Sequence, residues 1–107
     1  GLTVRFATGA GEQSASAAVV LMATGRRPLT AEIGLDRLGI EPQRGAIAVD
    51  EQMHTRVPGV YAIGDCADLP ASKAGVVAHQ AAEVVAHNLA VRLRGHGEPT
   101  TLRLHTI

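Results

Sequence analysis

Leu2, Val4 and Phe6 alternate with Thr3, Arg5 and Ala7, the period-two pattern of a strand with one covered face. Turn-forming residues between Thr8 and Gln13 precede a second apolar run, Ala17 to Ala23, and together these predict an antiparallel hairpin. The second run, Ala-Ala-Val-Val-Leu-Met-Ala, has no polar position, which predicts a strand covered on both faces and stopped at Thr24-Gly25. Beyond Arg26-Arg27-Pro28, Thr30 is placed to cap a short helix reaching Leu38, with Ile33 and Leu38 turned inward and Gly39 ending it. Alternation returns from Ala46 to Asp50 as a short strand, and Val60-Tyr61-Ala62-Ile63 predicts a four-residue apolar strand closed by Gly64-Asp65. A loop from Cys66 to Ser72 leads to the longest periodic segment, Gly75 to Arg94. There Ala78, Ala82, Val85, Leu89 and Leu93 recur on one face, the signature of a helix, and Gly95 and Gly97 mark its end. The tail, Glu98 to Ile107, fits either the start of a strand or a frayed end.

Composition narrows the classes this pattern allows. The 107 residues carry 10 Lys+Arg against 10 Asp+Glu with no basic block, which argues against a nucleic-acid binder that works by neutralising phosphates. A hydrophobic content of 46% argues against wholesale disorder. No apolar run approaches the roughly 18 to 20 residues of a membrane-spanning helix, and the start lacks a basic region followed by an apolar stretch. The default expectation is therefore a cytoplasmic protein without a signal peptide, with any peripheral membrane association left open. A lone Cys66 excludes an internal disulfide, and Phe6 and Tyr61 are the only large rings, so the core must be aliphatic.

Few residues carry chemistry. A short strand ending in Gly64-Asp65, followed by a loop and a long helix, places a carboxylate at the carboxyl edge of a sheet, where open α/β folds bind ligands. An ionised Asp offers acceptors and no donors, which suits the hydroxyls of a ribose or ribityl chain, and Gly64 removes a side chain that would block backbone approach. The same grammar describes an ordinary turn aspartate, and the residues by themselves leave the two open. His79, Glu83 and His87 stand four apart on the helix. The outer pair lie about 12 Å apart and cannot share a metal ion, which favours a solvated face over even a pairwise site of His79 with Glu83; no metal is expected. Arg26-Arg27 beside Pro28 reads more readily as a solvent-facing turn than as a cofactor-phosphate contact. Cys66 has no neighbouring His or Lys in sequence to lower its pKa and reads as packing.

Three ordered segments, VLMATGRRPL, GAIAVDEQMHTRVPGVYAIGDCAD and KAGVVAHQAAEVVAHNLAVRLRG, resemble the carboxyl-terminal half of the flavin-binding region of flavoproteins with two dinucleotide-binding domains. These are the pyridine nucleotide-disulfide oxidoreductases and their relatives, and the likeness covers about Ala17 to Gly95. It implies an α/β fold: a partial Rossmann-like FAD-binding domain with an N-terminal antiparallel hairpin and a long C-terminal helix. Residues 1–25 would close the nicotinamide-nucleotide domain and residues 26–107 would form the C-terminal part of the FAD-binding domain. By the resemblance, Thr24 and Gly25 are small residues near FAD where the chain returns to the flavin domain, and Asp65, next to Gly64, hydrogen-bonds the ribityl chain. Gly75, Val76 and Val77 present helix-start amides to the pyrimidine edge of the flavin, where unpaired N–H groups and the helix dipole favour the anionic reduced form.

The lysine of Lys-Ala-Gly, Lys73, resembles the sulfide:quinone oxidoreductase and flavocytochrome branch, where it adds charge near the ring; a solvated loop lysine is the competing reading. GRRPL and GAIAVDEQMHTRVPGVYAIGD are instead similar to the disulfide-reductase branch. One departure stands out, because the family opens both dinucleotide sites with a glycine-rich turn and GxGxxG occurs nowhere here. The expectation is a fragment of an FAD-dependent NAD(P)H- or sulfide-type oxidoreductase, inactive alone, that needs the missing N-terminal part of the flavoprotein or a complementary chain. The alternative is a non-catalytic assembly module or an inert piece, with homo-oligomers expected from unpaired strand edges.

Overall fold

The computed structural model describes residues 1–104. Strands β1 (Leu2–Thr8) and β2 (Gly11–Ala17) form an antiparallel hairpin, pairing Leu2 with Ala17 and Thr8 with Gly11. Its tip is a two-residue loop, Gly9-Ala10. Thr8 Oγ1 donates to the Gly11 carbonyl at 3.1 Å and accepts from the Ala10 amide at 3.2 Å, while Gly11 takes φ +108°.

The second strand is thus the polar Gly11–Ala17, not the apolar Ala17–Ala23. Closing the hairpin through two residues costs the least loop entropy, and that register exhausts β1 at Leu2. From Ala18 on the apolar run has no strand to pair with, and Val19, Leu21 and Met22 are 82%, 85% and 81% exposed. The expected buried return strand does not form among the described residues.

The packed part starts at Thr30. This threonine does not cap a helix; it is buried, and its hydroxyl donates to the Gly45 carbonyl at 2.8 Å. The helix foreseen to Leu38 shrinks to a 3₁₀ helix, Leu35–Leu38, because Gly34 sits in the left-handed region immediately before it. Gly39 ends it as expected, whereas Ile33 and Leu38 face solvent.

Strand β3 (Ile47–Ala48) pairs in parallel with β4 (Ala67–Asp68), the small α/β nucleus of the molecule. Val60–Ile63 is not a strand. It is held by a single antiparallel bridge of Tyr61 with His54 and by the amide of Ala62, which donates to the Met53 carbonyl. Ile40, Ile47, Ala62 and Ala67 form the core, ringed by Leu35, Val49, Val57, Val60, Cys66 and Leu69, so the core is aliphatic as composition requires.

Helix α1 (Gly75–Arg94) has the bounds its periodicity predicts and ends on Gly95, at φ +74°. Its buried stripe is Ala81, Val84 and Asn88, one step round from the expected face; Leu93 is 85% exposed. The tail decides this. Asn88 brackets the Thr100 backbone, its Nδ2 donating to Thr100 O at 2.8 Å and its Oδ1 accepting from Thr100 N at 2.7 Å. Leu102 N then donates to Glu51 O at 2.8 Å, so the tail is a strap across α1 and not a frayed end. Residues 105–107 of that predicted segment lie outside the described residues. The hairpin projects from this body: the Cα radius of gyration is 19.1 Å, where a compact domain of this length has about 13 Å.

Candidate functional site

Ile63 is extended, and the chain then turns through a 3₁₀ helix, Gly64–Cys66. Gly64 takes φ +75°, and a Cβ there would sit 3.8 Å from the Ala78 Cβ, an ordinary contact. The backbone angle, more than lack of room, is what calls for glycine. The turn lifts Asp65 to the surface beside the start of α1. Gly64, Asp65, Lys73, Ala74, Val77 and Ala78 line one crevice, too small to hold more than a water at about 10 Å³. It opens beside a cleft of about 620 Å³ lined by Arg26, Arg27, Pro28, Leu29, Asp65 and Lys73.

The carboxylate in this cleft is unspent. Among the described residues Asp65 is exposed and has neither a hydrogen-bond nor an ion-pair partner. The start of α1 is equally free: Ala74 precedes it with no side-chain cap, and the first helical amide bonds are those of Val77 and Ala78 to the Ala74 carbonyl. Gly75 and Val76 therefore hold orphan donors at the positive end of the helix dipole. Both are exposed, and the crevice wall is made by Val77.

Lys73 is neither a free loop lysine nor a loose charge in the cleft. Its Nζ donates to the carbonyl of Ala67 in β4. Thr24 and Gly25 lie in exposed chain outside any helix or strand, Gly25 at φ +106°, and the cleft wall begins one residue later, at Arg26. Arg26 and Arg27 are exposed, as a solvent-facing turn requires, yet they share the cleft with Asp65, which lies 39 and 38 residues further along the chain. Their adjacency to Thr24-Gly25 was the available signal.

The other candidates fall outside the cleft. Cys66 packs against the core, its Sγ donating to the Ile63 carbonyl at 3.2 Å. His79 Nε2 lies 3.5 Å from Glu83 Oε1 on an exposed face, and His87 Nε2 bonds the Glu98 carbonyl at 2.8 Å. Among the described residues no three His, Cys, Asp or Glu come together as a metal site, and no helix is long and apolar enough to cross a membrane.

One further cluster escaped sequence reasoning. Asp50 accepts from the amides of Gln52 and His54, both at 2.9 Å, and from His54 Nδ1 at 3.1 Å, while the His54 ring stands 4.9 Å from that of Tyr61. Burial works against ionisation of Asp50, but the His54 and Gln52 amides and the His54 ring outweigh it and hold the carboxyl below its ordinary value. This cluster shapes the turn in which Met53 is fully buried at φ +66°.

A carboxylate with free acceptors and an uncapped helix start beside one cleft match the region from which the first resemblance came. The family model of pyridine nucleotide-disulphide oxidoreductases matches residues 2–87, and the chain belongs to that family. Among similar proteins, dihydrolipoyl dehydrogenase of Bacillus subtilis (strain 168) is 44% identical over 89 residues, covering 80% of this chain and 19% of that protein. Dihydrolipoyl dehydrogenase of Thermus scotoductus is 48% identical over 65 residues, covering 55% and 14%. The crystal structure of LpdA from Mycobacterium tuberculosis superposes with a TM-score of 0.61 at 30% identity, over 96% of this chain and 23% of that one. The fold is accordingly part of a Rossmann-like flavoprotein α/β domain. The chain spans about 19% of the length of the first curated relatives it matches. FAD is the cofactor of this family. The residues present fit it: Asp65 offers acceptors to polyol hydroxyls, and the α1 amides offer donors to carbonyl oxygens or an anion.

Proposed function

We propose that this chain supplies the ribityl- and pyrimidine-facing side of the FAD site in an NAD(P)H-linked oxidoreductase of the disulfide type. The observation that carries the reading is the unpartnered Asp65 carboxylate, which lines both the cleft and the small crevice that Ala74 and Val77 line at the uncapped start of α1. Asp65 would hold the ribityl hydroxyls, Gly64 would let the backbone approach, and the Gly75 and Val76 amides would face the pyrimidine edge, whereas the expected Val77 amide is already spent on the Ala74 carbonyl at 3.0 Å. Thr24 and Gly25 would keep the approach to the cofactor free of bulk. When bound, FAD supplies the electron transfer, and these residues orient it and favour its reduced, anionic form.

The disulfide type is preferred to the sulfide:quinone type because GRRPL and GAIAVDEQMHTRVPGVYAIGD carry it, and because the relatives named above are dihydrolipoyl dehydrogenases. Cys66 is the sole cysteine of the 107 residues, so a redox dithiol would draw at least one sulfur from elsewhere. Residues 1–25 are assigned to the end of the nicotinamide-nucleotide domain and residues 26–107 to the flavin domain, consistent with a hairpin that projects from the packed body. The exposed run Val19–Met22 supports the matching partner: the part of a flavoprotein that carries the glycine-rich turns, in the same polypeptide or a complementary one, whose sheet would take this run as a strand. The same exposure favours a second reading, self-association of a non-catalytic module through that edge.

Complementation tests the proposal. The 107 residues are refolded with a separate polypeptide that carries a strand followed by a GxGxxG turn, and retained FAD is measured against protein. Near-stoichiometric FAD is expected, with affinity about tenfold or more lower for Asp65→Ala, the scale of losing hydrogen bonds to a charged group. Flavin retention indifferent to Asp65 would sink the assignment, and concentration-dependent dimers of the chain alone with no flavin uptake would favour the second reading.

A further inference from the structure

Between β4 and α1 the backbone bonds only to its near neighbours. Leu69 N donates to Ala67 O at 3.1 Å, Ala71 N to Leu69 O at 2.8 Å and Ala74 N to Ser72 O at 2.9 Å. Each spans two residues, a succession of γ-turns, and such bonds shape the chain locally without tying one end of a loop to the other. Pro70, in the middle, has no amide to donate.

One side chain crosses the loop. Lys73 Nζ donates to the carbonyl of Ala67, a residue with no exposed surface that pairs with Ile47 in the parallel β3–β4 ladder. An ammonium donor makes this a charge-assisted bond, and it joins the core layer to the second residue before α1. Lys73 also lines the crevice, together with Asp65 and with Ala74 and Val77 at the start of the helix.

We propose that Lys73 is a latch. By closing the loop from Ala67 to Ala74 onto the core it fixes where the uncapped start of α1 stands relative to Asp65, which makes it a positioning residue for the cleft. Only the identity of the cleft's ligand rests on the flavin reading; the latch itself does not.

Backbone amide order parameters of the 107-residue chain, measured by NMR, test it with Lys73→Met and Lys73→Arg. In the unsubstituted chain Leu69, Ala71 and Ala74 are expected near the rigid value of about 0.85, and in Lys73→Met below about 0.6. Gly95, bonded to Val91 at the far end of α1, and Ala62 in the core are expected not to change. Lys73→Arg, which keeps a charged donor on a long arm, is expected to restore order in the loop. Loop amides as rigid in Lys73→Met as in the parent would overturn the latch. So would a loss of order spread equally over Gly95 and Ala62, which would make Lys73 a general stability residue. A second readout, FAD affinity in the complemented protein, is expected to fall about tenfold in Lys73→Met and recover in Lys73→Arg. If that protein binds no FAD but the loop order depends on Lys73, the flavin reading fails and the latch stands; if FAD binds and the loop is indifferent to Lys73, the reverse holds.

Discussion

The chain has two methionines, and they live in different worlds: Met53 has no exposed surface, whereas Met22 is 81% exposed. Met22 sits in the most apolar stretch of the sequence, and Met53 sits between Gln52 and His54 in a turn. Apolar sequence therefore does not decide burial here. Around Met53, closed turns bring β3, β4 and the tail strap within reach of one another, and a core can form. Around Met22 the hairpin has used its only partner strand, and no second surface arrives to cover the run. The hydrophobic effect rewards area removed from water, and removal needs two surfaces.

The sharpest test of this contrast is to make the same substitution on both sides. Met53→Ala is expected to cost about 3 kcal/mol by cavity formation in the packed region, and Met22→Ala to stay within about 0.5 kcal/mol, both from urea unfolding. Equal effects would break the distinction. Next comes the seam where the extended segment meets the body. Gly45, at φ +81°, would bring a Cβ within 2.5 Å of the Pro28 carbonyl oxygen. Gly45→Ala is expected to cost about 2 kcal/mol or more, through backbone strain and separation of the two segments, read as a lower thermal midpoint.

A smaller effect is expected at the strap. Asn88→Ala removes both bonds to Thr100 and is expected to cost about 1 kcal/mol, with faster proteolysis of the residues beyond Gly97. The smallest concerns pH. The Asp50 carboxyl is held below its ordinary 3.8 in the folded chain, so its ionised form favours folding. That contribution is present above 3.8 and is lost as pH falls through the folded value. The urea midpoint is expected to drop in that acid range, and Asp50→Asn is expected to flatten the drop.

Legibility in the sequence followed the range of the interaction. Helix α1 was readable to its ends because twenty residues repeat with one period and Gly95 stops them locally. Gly64-Asp65 was readable as a turn that carries a carboxylate, because the demand for glycine at φ +75° is local too. The face of α1 that is buried was not, since apolar residues occupy much of its circumference and the choice belongs to Asn88 and the strap. The strand expected over Val60–Ile63 failed because its pairing is limited to one bridge, with His54. Nor was the role of Lys73 readable, because an extended arm reaches many acceptors and only folding says which carbonyl is near.

Short-range physics was written in the residues themselves: where α1 begins and ends, an aliphatic core, a carboxylate after a glycine. Folding alone decided which apolar residues are covered, that Arg26 and Arg27 meet Asp65 across one cleft, and that an ammonium closes the loop before α1. Backbone propensity and periodicity act between near neighbours in the chain. Burial and charge depend instead on surfaces that meet only when distant segments are brought together.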